Sequence, residues 1–384
     1  MRGLATALLA LGLWAGCEGA GWAGEVAHAW RSLDFAFPSE AARGAALASA
    51  AFRPDNCALA GVKVDAWGRV YVTVPRWRPG VPATLCLLSR ESEETLLQPY
   101  PSWEANAVGN CSGLQSVASM EIVGSEMWLL DSGRVDVATA RPRNLCPPKL
   151  AILDLSTGIF KSAYAFPSTV VSPSSNELKE LVVDPIRRFA YISNPGENSL
   201  VVYDDEAKQS WAFKHESMRP SINQFLVKGV AVNATTGISG IALSPDFSTV
   251  FYSPLAGAHL YSIQTSVLRH SSLSHPTLIW FTDQSFRDCA AQKADFNRVY
   301  KVVGVKYGAT EGMVMSSDKL YYGILDSSTV MRWNIVKDME AQSASYTNVV
   351  LKKKGLFRQN ATTLHWPRSF AIDTHGYLWH TPSF

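Results

Sequence analysis

No compact catalytic motif is present in this chain, so any chemistry must come from isolated side chains brought together by the fold. H-E-x-x-H, P-loop, G-x-S-x-G and C-x-x-C patterns are all missing. Common metalloprotease, nucleotide-binding and serine-hydrolase readings therefore lack support. The nearest miss is Gly237-Ile238-Ser239-Gly240. The 8 histidines are scattered without metal-ligand spacing, and neither a metal nor a cofactor is expected. Two acids stand out instead. Glu180 and Glu311 each open an otherwise apolar run, where a carboxylate must be hydrated, paired or used. Arg368 opens a similar run and could neutralise one of them. A carboxylate beside an aromatic ring suits a cationic aromatic amine, because the acid pairs with the ammonium and the ring stacks on Trp or Tyr.

Those residues are useful only if the fold brings them together, and a repeat supplies the means. One phrase recurs: GVKVDAWGRVYVTVP from Gly61, SMEIVGSEMWLLDSG from Ser119, ELVVDPIRRFAYISNPG from Glu180, GIALSPDFSTVFYSPL from Gly240, GMVMSSDKLYYGIL from Gly312 and SFAIDTHGYLWHTPS from Ser369. Each copy is a short apolar run, a turn rich in Asp, Gly, Ser or Pro, and a second run opening on an aromatic. The aromatics are Tyr71, Trp128, Tyr191, Phe251, Tyr321 and Trp379, spaced 57, 63, 60, 70 and 58 residues apart. Third runs start at Ala83, Lys149, Ser199, His259 and Thr329, and fourth runs at Thr95, Phe160, Gln209, Thr277 and Thr347. Four antiparallel strands per unit, repeated six times, predict an all-β, six-bladed β-propeller with few helices. Residues 24–384 are read as this single domain.

Ring closure has its own expectation. AWRSLDFAFPS from Ala29 resembles the fourth-strand phrase FKSAYAFP from Phe160, so Trp30–Phe37 is expected to be the outermost strand of blade six. The sequence stops at Phe384, straight after that blade's second strand. Blade six is therefore expected to be incomplete, its missing third strand pointing to a truncated or alternatively spliced end, or else to be closed with three strands.

In such a ring the starts of the innermost strands and the ends of the second strands meet at one channel mouth. The starts contribute Ser119, Glu180, Ser239, Glu311 and Arg368; the second-strand ends contribute Arg76, Trp77, Asp131, Asn194 and Asp326. From these, Glu180, Glu311, Arg368, Asp326, Asn194 and Trp77 are the candidate ligand contacts. Arg76 and Asp131 fit equally well as groups that satisfy buried loop backbone.

Composition fixes the setting. Of 384 residues, 47% are hydrophobic and 18% charged, with a formal charge of +2. That excludes a disordered chain and disfavours nucleic acid as a partner. No internal apolar run is long enough to span a membrane as a helix. Arg2 followed by the apolar Leu4–Ala15 stretch and small residues reads as a secretory signal over residues 1–23, cleaved after Cys17 or Ala23. Sequons at Asn110, Asn233 and Asn360 agree with an extracellular protein. Beyond the leader lie Cys57, Cys86, Cys111, Cys146 and Cys289, an odd number suited to one or two disulfides and a free thiol.

The quoted segments resemble the yellow/major royal jelly protein family. PRWRPGVPATL from Pro75, NCSGLQSV from Asn110, LDSGRV from Leu130, LCPPKL from Leu145, SWAFKHESMRP from Ser210, YSIQTSVLR from Tyr261 and WPRSFAIDTHGYLW from Trp366 carry the likeness. It runs from about Trp30 to Trp379. The resemblance implies a secreted six-bladed propeller and offers three functions: a binder of biogenic amines in the channel, a dopachrome-converting enzyme of isomerase type, or a nutritional or structural protein. The sequence departs from the family where IVGSEMW lacks a cysteine and where Met331-Arg332-Trp333-Asn334 replaces Cys-Trp-Asn. Cys57 and Cys86 sit where the family has other residues and flank the first strands of blade one. The comparison suggests Cys57–Cys86 and Cys111–Cys146 as pairs, with Cys289 spare.

Overall fold

A computed structural model describes residues 6–11, 24–88, 96–227, 229–233, 235–271, 300–361, 364 and 366–382. The architecture is all-β, almost wholly antiparallel and propeller-like. Five blades follow one another along the chain, each a four-stranded sheet. Blade one comprises Val62–Val64, Val70–Thr73, Leu85–Leu88 and Leu97–Pro99. Blade two comprises Val117–Val123, Glu126–Asp131, Lys149–Asp154 and Phe160–Ala165. Blade three is built from Leu181–Asp184, Phe189–Asn194, Ser199–Asp204 and Gln209–Lys214. Blade four uses Ile238–Leu243, Thr249–Pro254, His259–Gln264 and Lys301–Val305. Blade five uses Met313–Met315, Lys319–Ile324, Thr329–Asn334 and Lys354–Gln359.

The expected count of six like blades is thereby corrected to five. A further four-stranded sheet is assembled from both ends of the chain: Pro367–Ile372 and Leu378–Pro382, then Thr6–Leu11 and Gly24–Trp30. The strand expected at Trp30–Phe37 is displaced. Trp30 ends the outer strand of this sheet, and the chain then crosses to blade one, where Phe35 bridges Leu97 in parallel. Apolar packing accounts for the shift. Phe35 is buried against Phe52, and Phe37 packs on Phe52 and Trp103. Two outer strands also differ from expectation. Residues 277–283 lie outside the described residues, and Lys301–Val305 fills the fourth place in blade four. In blade five the helix Ile335–Gln342 intervenes, and Lys354–Gln359 takes the edge in place of the run from Thr347.

The turns between first and second strands follow from their aspartates. Asp65 accepts the Trp67 and Arg69 amides and the Tyr71 hydroxyl. Asp373 does the same for the His375 and Tyr377 amides and the Trp379 indole N–H. The repeated aromatics then pack forward. Tyr71 joins the core of blade two, Trp128 that of blade three, Tyr191 that of blade four and Phe251 that of blade five. Tyr321 meets Phe370 and Leu378 of the last sheet, and Trp379 packs on blade one. Gly312 allows a close approach between blade five and the last sheet, since a Cβ there would lie 2.0 Å from the Arg368 carbonyl.

The residue after each aromatic faces backward into the preceding interface: Val72, Leu129, Ile192, Tyr252 and Tyr322. The sixth is His380, fully buried beside Phe370, with neither ring nitrogen partnered among the described residues. Burial pushes its pKa from 6.5 to about 4. The folded imidazole stays neutral while the unfolded one binds a proton below pH 6.5, so stability should fall as pH drops from 6.5 towards 4. His380→Leu should flatten that loss, worth on the order of 3 kcal/mol, in urea titrations between pH 7 and 4. An unchanged pH dependence would refute the assignment.

The expected Cys111–Cys146 disulfide is formed. Cys57 and Cys86 are not joined; both are free and buried, and this corrects the suggested pair. The Cys57 thiol is directed at the Arg53 and Gly80 carbonyls, and Cys86 lies within the third strand of blade one. Cys289 lies outside the described residues. Burial raises the Cys57 pKa to about 12 and the Cys86 pKa still further. Iodoacetamide should spare both in the native protein and label both after denaturation without reductant. Recovery of a Cys57–Cys86 peptide would contradict this arrangement.

Candidate functional site

Inner strands from the five blades and the last sheet surround a cavity of about 1020 Å³. Its lining begins with Ser119, Glu180, Ile241, Met313 and Ser369 and runs to the first turns, at Ala66, Gly124, Phe247, Ser317 and Gly376. The cavity therefore opens among these turns. The mouth expected from the strand starts lies at the other end, and it is filled.

Glu311 is what fills it. Its side chain is 1% exposed and lies 2.6 Å from the Lys179 ammonium and 3.3 Å from the Arg368 guanidinium. The Trp366 indole N–H donates to its other oxygen. Arg368 in turn lies 4.2 Å over the Trp77 ring. Glu311, Arg368 and Trp77 do meet, as the sequence led one to expect, but they meet as a plug whose charges are already paired. Asn194 and Asp326 are spent on loops. The Asn194 amide oxygen accepts from the Glu177 N–H and its nitrogen donates to Glu197. Asp326 accepts from the Leu226 and Ala309 amides. Arg76 and Asp131 serve the backbone too. The Arg76 guanidinium donates to carbonyls of Val81, Pro82, Asn106, Leu114 and Gln115. Asp131 accepts from Gln115, Ser116 and Gly133.

Glu180 alone of the six candidates lines the cavity. It is placed by the inner strand of blade three, whose edge it begins, and one oxygen accepts from the Ile241 amide at 3.3 Å. Its carboxyl is pushed up to about 8, first by burial deep in the ring and then by the neighbouring Glu311 charge. Such a group holds its proton at neutral pH until a cation arrives to replace it. Charged residues that the reading of strand starts missed share the space, among them Lys63, Glu121 and Arg332, with Asp65, Asp318 and Lys319 at the first turns. Lys63 and Glu121 form a 2.8 Å ion pair across blades one and two, and Arg332 reaches the lining from blade five. The signal was present, since Lys63 and Glu121 are charges inside short inner strands, two residues beyond the starts.

With the ring and its acid described, the family follows. The major royal jelly protein family matches residues 116–382, well over half of the sequence. The chain belongs to the major royal jelly protein family. Among its relatives are the yellow proteins of Drosophila subobscura, 28% identical, and of Drosophila guanche and Drosophila melanogaster, each 29% identical, all over 370 residues and 92% of this chain. The alignment covers 60% of the D. subobscura and D. guanche proteins and 63% of that from D. melanogaster. This royal jelly family member thus spans about three fifths of the length of the yellow proteins it matches.

The two glutamates should separate on mutation. Glu311→Gln leaves Lys179 and Arg368 without a countercharge and should cost about 3 kcal/mol of stability. Glu180→Gln replaces a carboxyl already protonated at pH 7 and should leave the melting temperature nearly unchanged there. Equal losses in the two variants, measured by calorimetry, would contradict this division.

Proposed function

We propose that this chain is a secreted ligand-binding propeller whose channel takes a small cationic aromatic molecule of the biogenic-amine type. One observation carries the reading: among the described residues, Glu180 is the cavity acid in no ion pair, whereas Asp65, Glu121 and Asp318 are paired with Arg69, Lys63 and Lys319. The ammonium would pair with Glu180 as its proton leaves. The ring would lie against Met313, Met315 and Phe247, and ring hydroxyls would face Ser119 or the Lys63–Glu121 pair. Secretion is supported by the Cys111–Cys146 disulfide and by exposed acceptor sites at Asn110 and Asn233. No helix among the described residues is long and apolar enough to cross a membrane.

A second reading draws on the same carboxyl. A group that titrates near pH 8 can take and return a proton, which is what isomerisation of dopachrome requires. It ranks behind binding because the other acids that line the cavity, Asp65, Glu121 and Asp318, are each paired with a cation.

Affinity for phenethylamine or dopamine should rise with pH by up to about tenfold per unit until the Glu180 carboxyl ionises near pH 8. The sign follows from the proton that binding must release. Glu180→Gln should remove both the affinity and its pH dependence in titration calorimetry. Amine binding that ignores pH and survives Glu180→Gln would end the binding reading. Enzymatic loss of dopachrome colour abolished by the same substitution would favour the second.

A further inference from the structure

A second, smaller cavity of about 340 Å³ lies on the plugged side of blade one, under the helix Glu40–Ala48. Its walls include Phe37, Trp103, Val81 and Val135. The Phe37 and Trp103 rings stand 5.0 Å apart at 31°, forming an aromatic wall. Its charge is opposite in sign to that of the channel acid. Arg76, Arg78 and Arg143 line it against a lone acid, Asp136, so three positive charges less one negative leave +2. The Arg76 guanidinium is consumed by backbone carbonyls, and Arg143 is held 2.7 Å from Asp136. Arg78 is exposed and pairs with nothing among the described residues.

We propose that this cavity is a second small-molecule site, taking an arylalkyl carboxylate whose ring lies on Phe37 and Trp103 and whose carboxylate meets Arg78. The volume suits a ligand of one ring and a short acidic arm. A planar guanidinium with free donors is the group that recognises a carboxylate in two-point fashion. The amines proposed for the channel would be repelled here, so the two sites differ in the sign of the charge they accept.

Phenylacetate and phenethylamine form a matched pair of probes, differing mainly in the charged end. With about ten heavy atoms, phenylacetate should bind in the millimolar range. Titration followed by ligand-observed NMR should give saturation that Arg78→Ala weakens about tenfold, that Arg78→Lys partly restores, and that Trp103→Leu also reduces. Arg78→Ala should melt with the unaltered protein, since its side chain holds no structural contact. Glu180→Gln and Lys63→Met, which alter the channel, should leave phenylacetate within about twofold. No saturation by about 10 mM, affinity indifferent to Arg78→Ala, or loss of phenylacetate with Lys63→Met would each overturn the proposal. Phenethylamine competing with phenylacetate would do so too. The outcome does not depend on whether the channel binds an amine.

Discussion

Each sheet is held to its successor by one aromatic side chain from its second strand, and the ring closes only because Trp379 reaches back to blade one as Tyr71 reaches forward to blade two. The contact is hydrophobic and close-packed, with Tyr71, Trp128, Tyr191, Phe251 and Tyr321 nearly or fully buried. A side chain of this size contributes about 2 to 3 kcal/mol by burial, and six such contacts lock the relative positions of the inner strands. Everything in the channel inherits its position from them. Strands alternate in facing, so the residue after each aromatic must satisfy the interface behind it. Five are apolar or tyrosine. The histidine at the sixth position makes the seam between blade five and the last sheet one that acid can weaken.

Where strands end, the ring depends on cations rather than on apolar packing. Arg76, after the second strand of blade one, and Lys149, which opens the third strand of blade two, lie buried, and each donates to carbonyls of the segment that links the two blades. Lys306 does the same between blades four and five, donating to Gly257 and Gly308, with its pKa lowered to about 7 by burial. An unpaired buried carbonyl is costly, and one long cationic side chain can answer several at once. This explains why charged residues in these loops are poor guides to a ligand site. They are held by the backbone they serve.

Much of the framework was legible in the sequence because it rests on local patterns. Alternating apolar runs, aspartate turns and the recurring aromatic located the first three strands of all five blades. The outer strands of blades four and five were not legible, since an edge strand has only one neighbour and its pattern is weak; Lys354–Gln359 was hidden behind a helix. The N-terminal segment misled because Phe35 and Phe37 alternate as a strand does, while their partners Phe52 and Trp103 are non-local. At the candidate site, the acids were found but not their company. Glu311 was visible as a carboxylate in an apolar run, yet only the ring reveals that Lys179, Arg368 and Trp366 converge on it. The side on which the channel opens is likewise a property of packing, invisible in any single strand.

The ion-paired cluster beneath Glu180 makes the ring a cup rather than a pipe. Among the described residues that end is occupied by Glu311 with Lys179, Arg368 and Trp366, so the turns are the route by which a guest would enter and leave. Traffic through the propeller would first require breaking the cluster at its base.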